Sequence, residues 1–233
     1  MSLIASHPVL NHTVKFLETT TGRDKILRLI QYWARFYSFV LLRKGATQQA
    51  VHFWKHLQAT VGLSRKLFRA GKPLNFIKAA AAAFANKTND PILRVTAFLR
   101  AISYAIYFTT DTVTWVNSAK VLQLTHAPTL NKIGTRFWLF GMLANIVNSL
   151  RRHQIASAKE AALLADPSEK DVTSLKKVLA EKKAANIQLL WDVLDTTIPI
   201  SGLGLANLDD GFVGLAGFIT SALGTRQQWA ATY

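Results

Sequence analysis

The chain has 233 residues, of which half are apolar and only 18% are charged, a smaller charged fraction than the roughly 25% typical of soluble domains. It contains no cysteine, which excludes disulfides, thiolate zinc sites and cysteine nucleophiles. The formal net charge is +15, and most of it lies in residues 1–100, which carry 16 Lys/Arg against three Asp/Glu. We therefore expect the basic half to face an anionic partner, either nucleic acid or the anionic leaflet of a membrane.

The first predicted elements are an arm and two helices. Pro8 argues against a helix across residues 1–11, and a short helix is expected at about residues 13–16. Threonines and a glycine at residues 19–22 supply capping chemistry for a long helix over residues 23–44, which Gly45 ends. The apolar stripe of that helix is formed by Ile26, Leu29, Ile30, Trp33, Tyr37, Val40 and Leu41.

Residues 54–84 predict two short amphipathic helices with large apolar side chains on one face and basic side chains around it. Gly71-Lys72-Pro73 separates them, because proline lacks an amide proton yet is tolerated at the first position of a helix. Such helices either pack in a soluble bundle or lie in a membrane surface. The membrane interpretation predicts these lipid-binding residues: Trp54, Leu57, Val61, Arg65, Lys66, Leu67, Phe68, Arg69, Lys72, Leu74, Ile77 and Phe84.

Two later helices are mostly apolar. One is expected over residues 92–116, and another over residues 137–150, which arginines flank as they flank membrane-inserted segments. The longest stretch without Asp, Glu, Lys or Arg has fifteen residues, 211–225, fewer than the about 20 that a span requires. These lengths suit buried core helices, interfacial helices or spans that bring charges into the bilayer.

The sequence shows no strand-like alternation, so the predicted fold is all-α. We expect a membrane-associated helical bundle with N-terminal basic amphipathic helices and short hydrophobic C-terminal helices, the helix before Pro199 stopping there. Composition divides the chain into a basic amphipathic helical region (1–86), an apolar helical membrane region (87–152), a charged and partly helical linker (153–185) and glycine-rich C-terminal membrane helices (186–233).

Small residues recur on one narrow face of the final helix. Residues of this size let two helices approach closely, either within a tightly packed soluble protein or, as we favour, between membrane helices. The predicted oligomerisation face consists of Gly214, Gly217, Ser221 and Gly224.

Catalytic chemistry is not expected from this sequence. His52 and His56 could share a metal ion, but no third ligand lies nearby in the sequence. No cofactor-binding or catalytic motif occurs. Two acidic pairs lie in the C-terminal part: Asp192 with Asp195, and Asp209 with Asp210. No histidine or nucleophile lies beside them in the sequence, so we expect them to cap helices, pair with arginines or line a polar path.

Nucleic-acid binding is disfavoured for a geometric reason. The aromatic side chains of the basic helices lie on the apolar faces, opposite the charges. Single-strand binders need stacking rings and cations on the same face. An anionic phospholipid membrane is therefore the favoured partner.

Three runs of the sequence form a recognisable set. They are Lys15-Phe16-Leu17 with Thr19 to Lys25, Arg28, Gln31-Tyr32 and Arg35-Phe36; Ser64-Arg65-Lys66 to Gly71-Lys72-Pro73; and Asp209-Asp210-Gly211 with Val213-Gly214-Leu215 and Gly217. This set closely resembles the peroxin-eleven family of peroxisomal membrane proteins, in the style of its fungal members. The resemblance covers essentially the whole chain, and the family's conserved amphipathic region matches residues 22–44 and 54–84.

The resemblance implies a protein of the peroxisomal membrane that elongates and proliferates peroxisomes. It implies termini that face the cytosol, self-association into a homo-oligomer, and two protein partners: a dynamin-related GTPase of the fission machinery and the import receptor for peroxisomal membrane proteins. Apolar side chains inserted into the cytosolic leaflet would expand that leaflet alone, which favours this role on physical grounds.

The family's second proposed role is a pore for small metabolites. A pore requires polar or charged residues inside membrane helices. The sequence offers Arg94, Arg100, Asp111, Asp192 and Asp195. Ser168, which has acidic neighbours, is a weak candidate for phosphorylation.

Overall fold

A computed structural model describes residues 7–86, 90–165 and 172–233; the predicted phosphorylation site Ser168 lies outside them. The described residues form eight α-helices and no strand, which confirms the all-α prediction. The helices are α1 (Pro8–Glu18), α2 (Thr20–Arg43), α3 (Gln48–Phe68), α4 (Lys72–Ala85), α5 (Pro91–Ser118), α6 (Ala127–Ala165), α7 (Val172–Gly202) and α8 (Asp210–Ala231).

The ends of the N-terminal helices follow local chemistry, with one correction. Pro8 begins α1, so the predicted arm through residue 11 was wrong, because proline suits the first turn, where an amide proton has no partner. The Thr19 hydroxyl accepts a hydrogen bond of 2.9 Å from the Gly22 amide and caps α2. Gly45 has a φ of 70°, a left-handed conformation that ends the helix.

Prolines elsewhere have two different effects. Pro73 lies in the first turn of α4, as predicted, and Pro91 opens α5. Pro199, by contrast, lies inside α7, so the prediction that this helix stops before Pro199 was wrong. Pro199 is three residues from the helix end and removes only the hydrogen bond to the Asp195 carbonyl.

The chain forms two compact units that are discontinuous in sequence. The first comprises Met1–Gly71, Asp111–Pro128 and Gly204–Tyr233, and the second comprises Lys72–Thr110 and Thr129–Leu203. Helix α5 therefore contributes residues to both. The four contiguous regions predicted from composition have different boundaries from these two units. They describe whether each segment meets membrane or water, which stays a prediction.

In the first unit, α2 packs antiparallel against both α3 and α8. Small residues of α8 allow the close approach: a Cβ added at Gly214 would lie 2.7 Å from the Phe36 backbone nitrogen. The ends of the chain meet here as well, because the His12 ring lies 3.9 Å from the Trp229 ring and its Nε2 is 2.9 Å from the Trp229 carbonyl oxygen.

In the second unit, α4 packs on α5 through aromatic rings. Phe76 stacks on Tyr104 and Phe108, with ring centroids 5.2 and 5.4 Å away. Helices α5, α6 and α7 then meet through polar side chains, including a hydrogen bond of 2.7 Å from Asn148 to the Thr96 hydroxyl.

Candidate lipid-contacting surfaces

Both units bury several polar and charged side chains beside their apolar cores, although charged side chains are almost never fully buried in soluble proteins unless they are paired. Buried polar and charged side chains include Asp24, Arg28, Arg65, Asp111, Asn145, Asn148, Asp192 and Asp195. Exposed large apolar side chains include Trp33, Phe53, Leu67, Leu74, Ile77, Phe84, Phe140, Leu143, Leu190 and Phe212. Apolar side chains turned outward around a polar interior suit an apolar environment.

Helix α4 turns its predicted apolar face outward. Leu74, Ile77 and Phe84 are 72%, 54% and 75% exposed, because Phe76 and Ala80, on the other side of the helix, fill the contact with the rest of the unit. These three predicted lipid-binding residues are therefore available to an external partner.

The predicted apolar face of α3 is placed differently. Trp54 packs edge-on against the Tyr37 ring, with centroids 4.8 Å apart, and the Arg23 guanidinium lies 6.0 Å from the Phe68 ring centroid. Leu57 and Val61 are likewise only partly exposed. Most of this face therefore meets α2 of the same chain, while Leu67, at 51% exposed, points outward.

Arg65 lies inside the first unit. Its Nε is 3.0 Å from Asp24 Oδ1, and its Nη1 donates a hydrogen bond of 2.6 Å to Gln31. Burial lowers the pKa of the Arg65 guanidinium, and neighbouring Arg69 lowers it further, while the Asp24 carboxylate raises it. The ion pair keeps the buried guanidinium compensated.

The neighbouring cations also have internal partners. Lys66 Nζ and Arg69 Nη2 lie 3.1 and 2.5 Å from the two carboxylate oxygens of Asp111. In the second unit, Lys72 Nζ lies 5.4 Å from the Phe108 ring centroid. These predicted lipid-binding cations therefore have partners within the chain, and their contact with lipid headgroups stays a prediction.

Sequence reasoning missed the two carboxylates that pair with these cations. Asp24 is 41 residues from Arg65, and Asp111 is 42 residues from Arg69. A helical wheel compares residues within one helix, so it does not reveal an ion pair between residues about 40 positions apart. The available signal was the scarcity of acidic residues, because each carboxylate in a strongly basic segment is a natural partner for its cations.

The predicted oligomerisation face is in contact with α2. Gly214, Gly217, Ser221 and Gly224 are buried, and a side chain at Gly217 would meet the Tyr32 ring. The prediction of close helix approach therefore describes a contact within one chain. Self-association through this face stays a prediction, and it would require α8 to leave α2.

The acidic pairs predicted in the C-terminal part have distinct roles. Asp209 caps α8 by accepting a hydrogen bond of 2.8 Å from the Phe212 amide, and Asp210 pairs with Arg35 at 2.7 Å. Asp192 accepts hydrogen bonds from Asn145 and Gln188, of 2.5 and 3.0 Å.

Of the five charged residues proposed for a pore, Arg100, Asp192 and Asp195 interact electrostatically within the second unit. Asp111 pairs with cations in the first unit, whereas Asp192 and Asp195 lie inside the second, where Asp195 accepts a hydrogen bond of 3.2 Å from Trp191. Arg100 lies over the Tyr104 ring at 5.2 Å, and Arg94 is partly exposed.

The two histidines considered as metal ligands lie on α3. His52 and His56 are exposed on α3, and no group of three potential ligands lies together in the part of the chain that the structure describes.

Of the described helices, α5 alone is long and apolar enough to cross a bilayer.

These features define an all-helical protein that buries several ion pairs, such as Asp24 with Arg65, and exposes many large apolar side chains. A family model described as Peroxisomal biogenesis factor 11 (PEX11) matches residues 10–229. The chain belongs to this family, which confirms the resemblance found in the sequence.

The curated relatives agree over nearly their full length. Peroxisomal membrane protein PMP27 of Saccharomyces cerevisiae is 34% identical over 97% of this chain and 97% of the relative. Peroxisomal membrane protein PMP30B of Candida boidinii is 30% identical over 97% and 96%. Peroxisomal biogenesis factor 11 of Schizosaccharomyces pombe is 29% identical over the whole of both chains. No solved structure matches the chain.

Proposed function

We propose that this chain is a non-enzymatic protein that remodels the peroxisomal membrane, promoting its elongation and fission during peroxisome proliferation. It does so by inserting apolar side chains of α4, together with Leu67 of α3, into the cytosolic leaflet. The observation that carries the proposal is the outward apolar face of α4, where Leu74, Ile77 and Phe84 are each more than half exposed.

The side chains proposed to insert gain free energy when they are buried in a leaflet. Burial of a large apolar side chain contributes roughly 1.5 to 3 kcal/mol, so Leu67, Leu74, Ile77 and Phe84 offer a gross gain on the order of 6 to 12 kcal/mol before ordering costs. Insertion into one leaflet expands that leaflet relative to the other. Positive curvature of the membrane then becomes less costly.

Membership of the family supports further parts of the proposal. We propose that both termini face the cytosol, since the contact between His12 and Trp229 holds the two ends of the chain together. Self-association and contacts with a dynamin-related GTPase and an import receptor for peroxisomal membrane proteins are proposed from the family resemblance. The named relatives are described as membrane proteins or biogenesis factors, which supports a role without catalysis.

A second candidate function is a pore for small metabolites. Its support is the polar interior of the second unit, where Asn145 and Gln188 each donate a hydrogen bond to Asp192. The same helices expose large apolar side chains: Phe140, Leu143 and Val147 on α6 and Leu190 and Val193 on α7. A polar interior inside an apolar exterior suits a path through a bilayer.

The test of the remodelling function uses full-length protein added to giant vesicles that contain anionic lipid. A variant with Leu74→Gln, Ile77→Gln and Phe84→Gln is expected to lose tubulation, because glutamine cannot enter the acyl region without cost. The matched control places three glutamines at exposed positions elsewhere on α4: Asn75→Gln, Ala79→Gln and Ala82→Gln. Equal tubulation by both variants contradicts insertion of this face.

A further inference from the structure

Helices α6 and α7 continue side by side beyond the start of α5. The Arg151 guanidinium of α6 lies 2.8 Å from the carboxylate of Asp90, the residue directly before α5. From Arg151, α6 runs on to Ala165, a distance of about 21 Å at the rise of an α-helix. Residues 153–165 of α6 and 172–186 of α7 therefore form a two-helix arm at this end of the second unit.

The two helices of the arm are joined by polar side chains. Three pairs lie along it, with atoms 2.7, 2.7 and 3.7 Å apart: His153 with Asn186, Glu160 with Lys182, and Lys159 with Glu181. The side chains buried in the described arm are short, namely Ala156, Val178 and Ala185. The arm therefore has a thin interior, and most of its side chains are exposed.

A groove of about 430 Å³ extends along α7 from the arm into its base. Its lining residues recur at intervals of three or four positions and so lie on one face of the helix: Leu179, Lys182, Lys183, Asn186, Ile187 and Leu190. Leu179, Ile187 and Leu190 are 43%, 44% and 54% exposed. The groove therefore presents three apolar side chains to an external partner.

The described arm carries an excess of positive charge. Lysines outnumber glutamates by five to two, and both glutamates pair with lysines of the arm itself. The positive charge that remains lies on the exposed Lys176, Lys177 and Lys183. Lys183 lines the groove, whereas Arg152, at the base of the arm, donates a hydrogen bond of 2.8 Å to Asn148. The groove therefore combines apolar contacts with positive charge.

We propose that this groove binds an amphipathic helix of a partner protein, which carries acidic side chains beside apolar ones on the face that contacts α7. Helices that dock in grooves use anchors three, four and seven positions apart, and positions 176, 179, 183, 186 and 190 of α7 have this spacing. Apolar anchors of the partner cover Leu179 and Leu190, and its carboxylates pair with Lys176 and Lys183. This interaction goes beyond the proposed remodelling function and is separate from insertion of α4 into a leaflet.

The placement of the lysines argues against a lipid surface as the occupant. Lys176 and Lys183 lie in the same stripe of α7 as Leu179 and Leu190, because seven residues make about two helical turns. A helix that lies in a membrane surface carries its lysines on the polar face, away from the apolar one. Lysine within an apolar helix seam instead selects the partner helix and its register.

Charge also argues against a second copy of the chain. Two copies that docked through the same groove would place the lysines of one beside the lysines of the other, and like charges across an interface suppress binding. A helix with glutamates at the corresponding positions has the complementary charge. The same lysines therefore favour an acidic partner and disfavour self-association through this groove.

The first test measures binding of fluorescent peptides to the full-length protein in detergent. One probe is a designed helix with leucine anchors and glutamates between them, and the other has lysine in place of each glutamate. Lys183→Glu is expected to weaken binding of the glutamate peptide about tenfold and to strengthen binding of the lysine peptide, because the charge in the groove is reversed.

The matched control is Lys177→Glu, an equal change of charge at an exposed position of α7 outside the groove. It is expected to change either affinity by less than about twofold. Because both lysines are exposed, neither variant is expected to lose helix content, which circular dichroism checks. Equal losses in the two variants, or no preference of the parent for the glutamate peptide, overturn the proposal.

The second test identifies the occupant in cells. The photoreactive amino acid benzoylphenylalanine is incorporated into the full chain at position 187, in the groove, or at position 161, an exposed position of α6 outside it. Irradiation is expected to yield, from position 187 alone, an adduct that mass spectrometry maps to an amphipathic helix with acidic residues. Lys183→Glu is expected to abolish this adduct.

The other outcomes of the cross-linking contradict the proposal. Adducts with lipid, with nucleic acid or with a second copy of the chain each overturn it, as does the absence of any adduct specific to position 187. Tubulation of purified vesicles by the Lys183→Glu variant is expected to equal that of the parent, because such vesicles contain no partner protein. Loss of tubulation in this variant overturns the separation of the groove from the remodelling surface.

Discussion

The guanidinium of Arg65 and the carboxylate of Asp24 lie 3.0 Å apart, with side chains only 7% and 5% exposed. This ion pair joins α3 to α2. Without it, the charge of Arg65 and the charge of Asp24 would each be buried without compensation. Its energetic role differs from that of a surface pair, since loss of one partner leaves a buried charge that water cannot reach.

Asp24→Asn is therefore expected to destabilise the first unit by about 3 kcal/mol or more, in the range measured for breaking buried pairs. Denaturant unfolding of the full-length protein in detergent measures the change. The control is Arg35→Gln, which breaks a pair whose carboxylate is 54% exposed and which should cost no more than about 1 kcal/mol. Equal losses for the two variants would show that the Asp24 pair is not energetically buried.

Gly214→Ala tests the packing of α8 on α2. The added methyl group meets the Phe36 backbone at 2.7 Å, and overpacking of this kind typically costs about 1 to 3 kcal/mol. Gly71→Ala, where nothing lies within 4 Å, is the control. Cross-linking of differently tagged copies is measured in parallel. Loss of self-association without loss of stability would instead assign this face to an intermolecular contact.

Stability should depend on pH through Asp90. A hydrogen bond from Arg151 lowers the pKa of the Asp90 carboxyl below its ordinary value of 3.8, and backbone hydrogen bonds at the start of α5 lower it further. Because the folded pKa is depressed, the stabilisation is present above the ordinary value and is lost as pH falls through the folded pKa.

The corresponding variant is Asp90→Asn, which keeps a good capping oxygen but removes the charge. We expect it to be less stable than the parent at neutral pH and equally stable once Asp90 is protonated in both states of the parent. The unfolding midpoints of the parent and of the Asp90→Asn variant, measured across acidic pH, test this expected difference in stability. A stability difference that does not change with pH would attribute the effect to lost geometry rather than lost charge.

The pore function makes a separate prediction. Asp192→Asn removes the charge at the centre of the polar contacts of Asn145 and Gln188, and it is expected to alter dye flux through vesicles without altering their shape. Asp210→Asn, on the surface of the other unit, is the control. Unchanged flux in the Asp192 variant would argue against a path through this interior.

Helix ends that carry a local capping or proline signal were predictable, because they depend on neighbouring residues, whereas α6 (Ala127–Ala165) extends well beyond the predicted residues 137–150. Thr19, Gly45 and Pro91 each mark an end through local backbone chemistry. Pro8 and Pro199 were misinterpreted, since proline near a helix end removes little hydrogen bonding. Position in the helix, rather than residue type, decided those two cases.

The partners of each face could not be predicted in the same way. An apolar stripe has the same spacing whether it meets lipid or another helix, so the outward Leu74 and the inward Trp54 have equivalent sequence signals. The small residues around Gly214 predicted close approach without indicating which helix approaches. Ion pairs such as that of Asp111 with Arg69 depend on contacts between distant segments, which one sequence does not reveal.

The contact between His12 and Trp229 joins residues separated by 217 positions. Translation of the chain proceeds from the first residue to the last, so α1 and α2 leave the ribosome long before α8 is made. The surface of α2 that packs against α8 therefore has no native partner during most of synthesis, whereas α3 follows α2 directly. Packing of α8 on α2 is consequently completed only after α8 has been synthesised, and the exposed surface of α2 needs protection from aggregation until then.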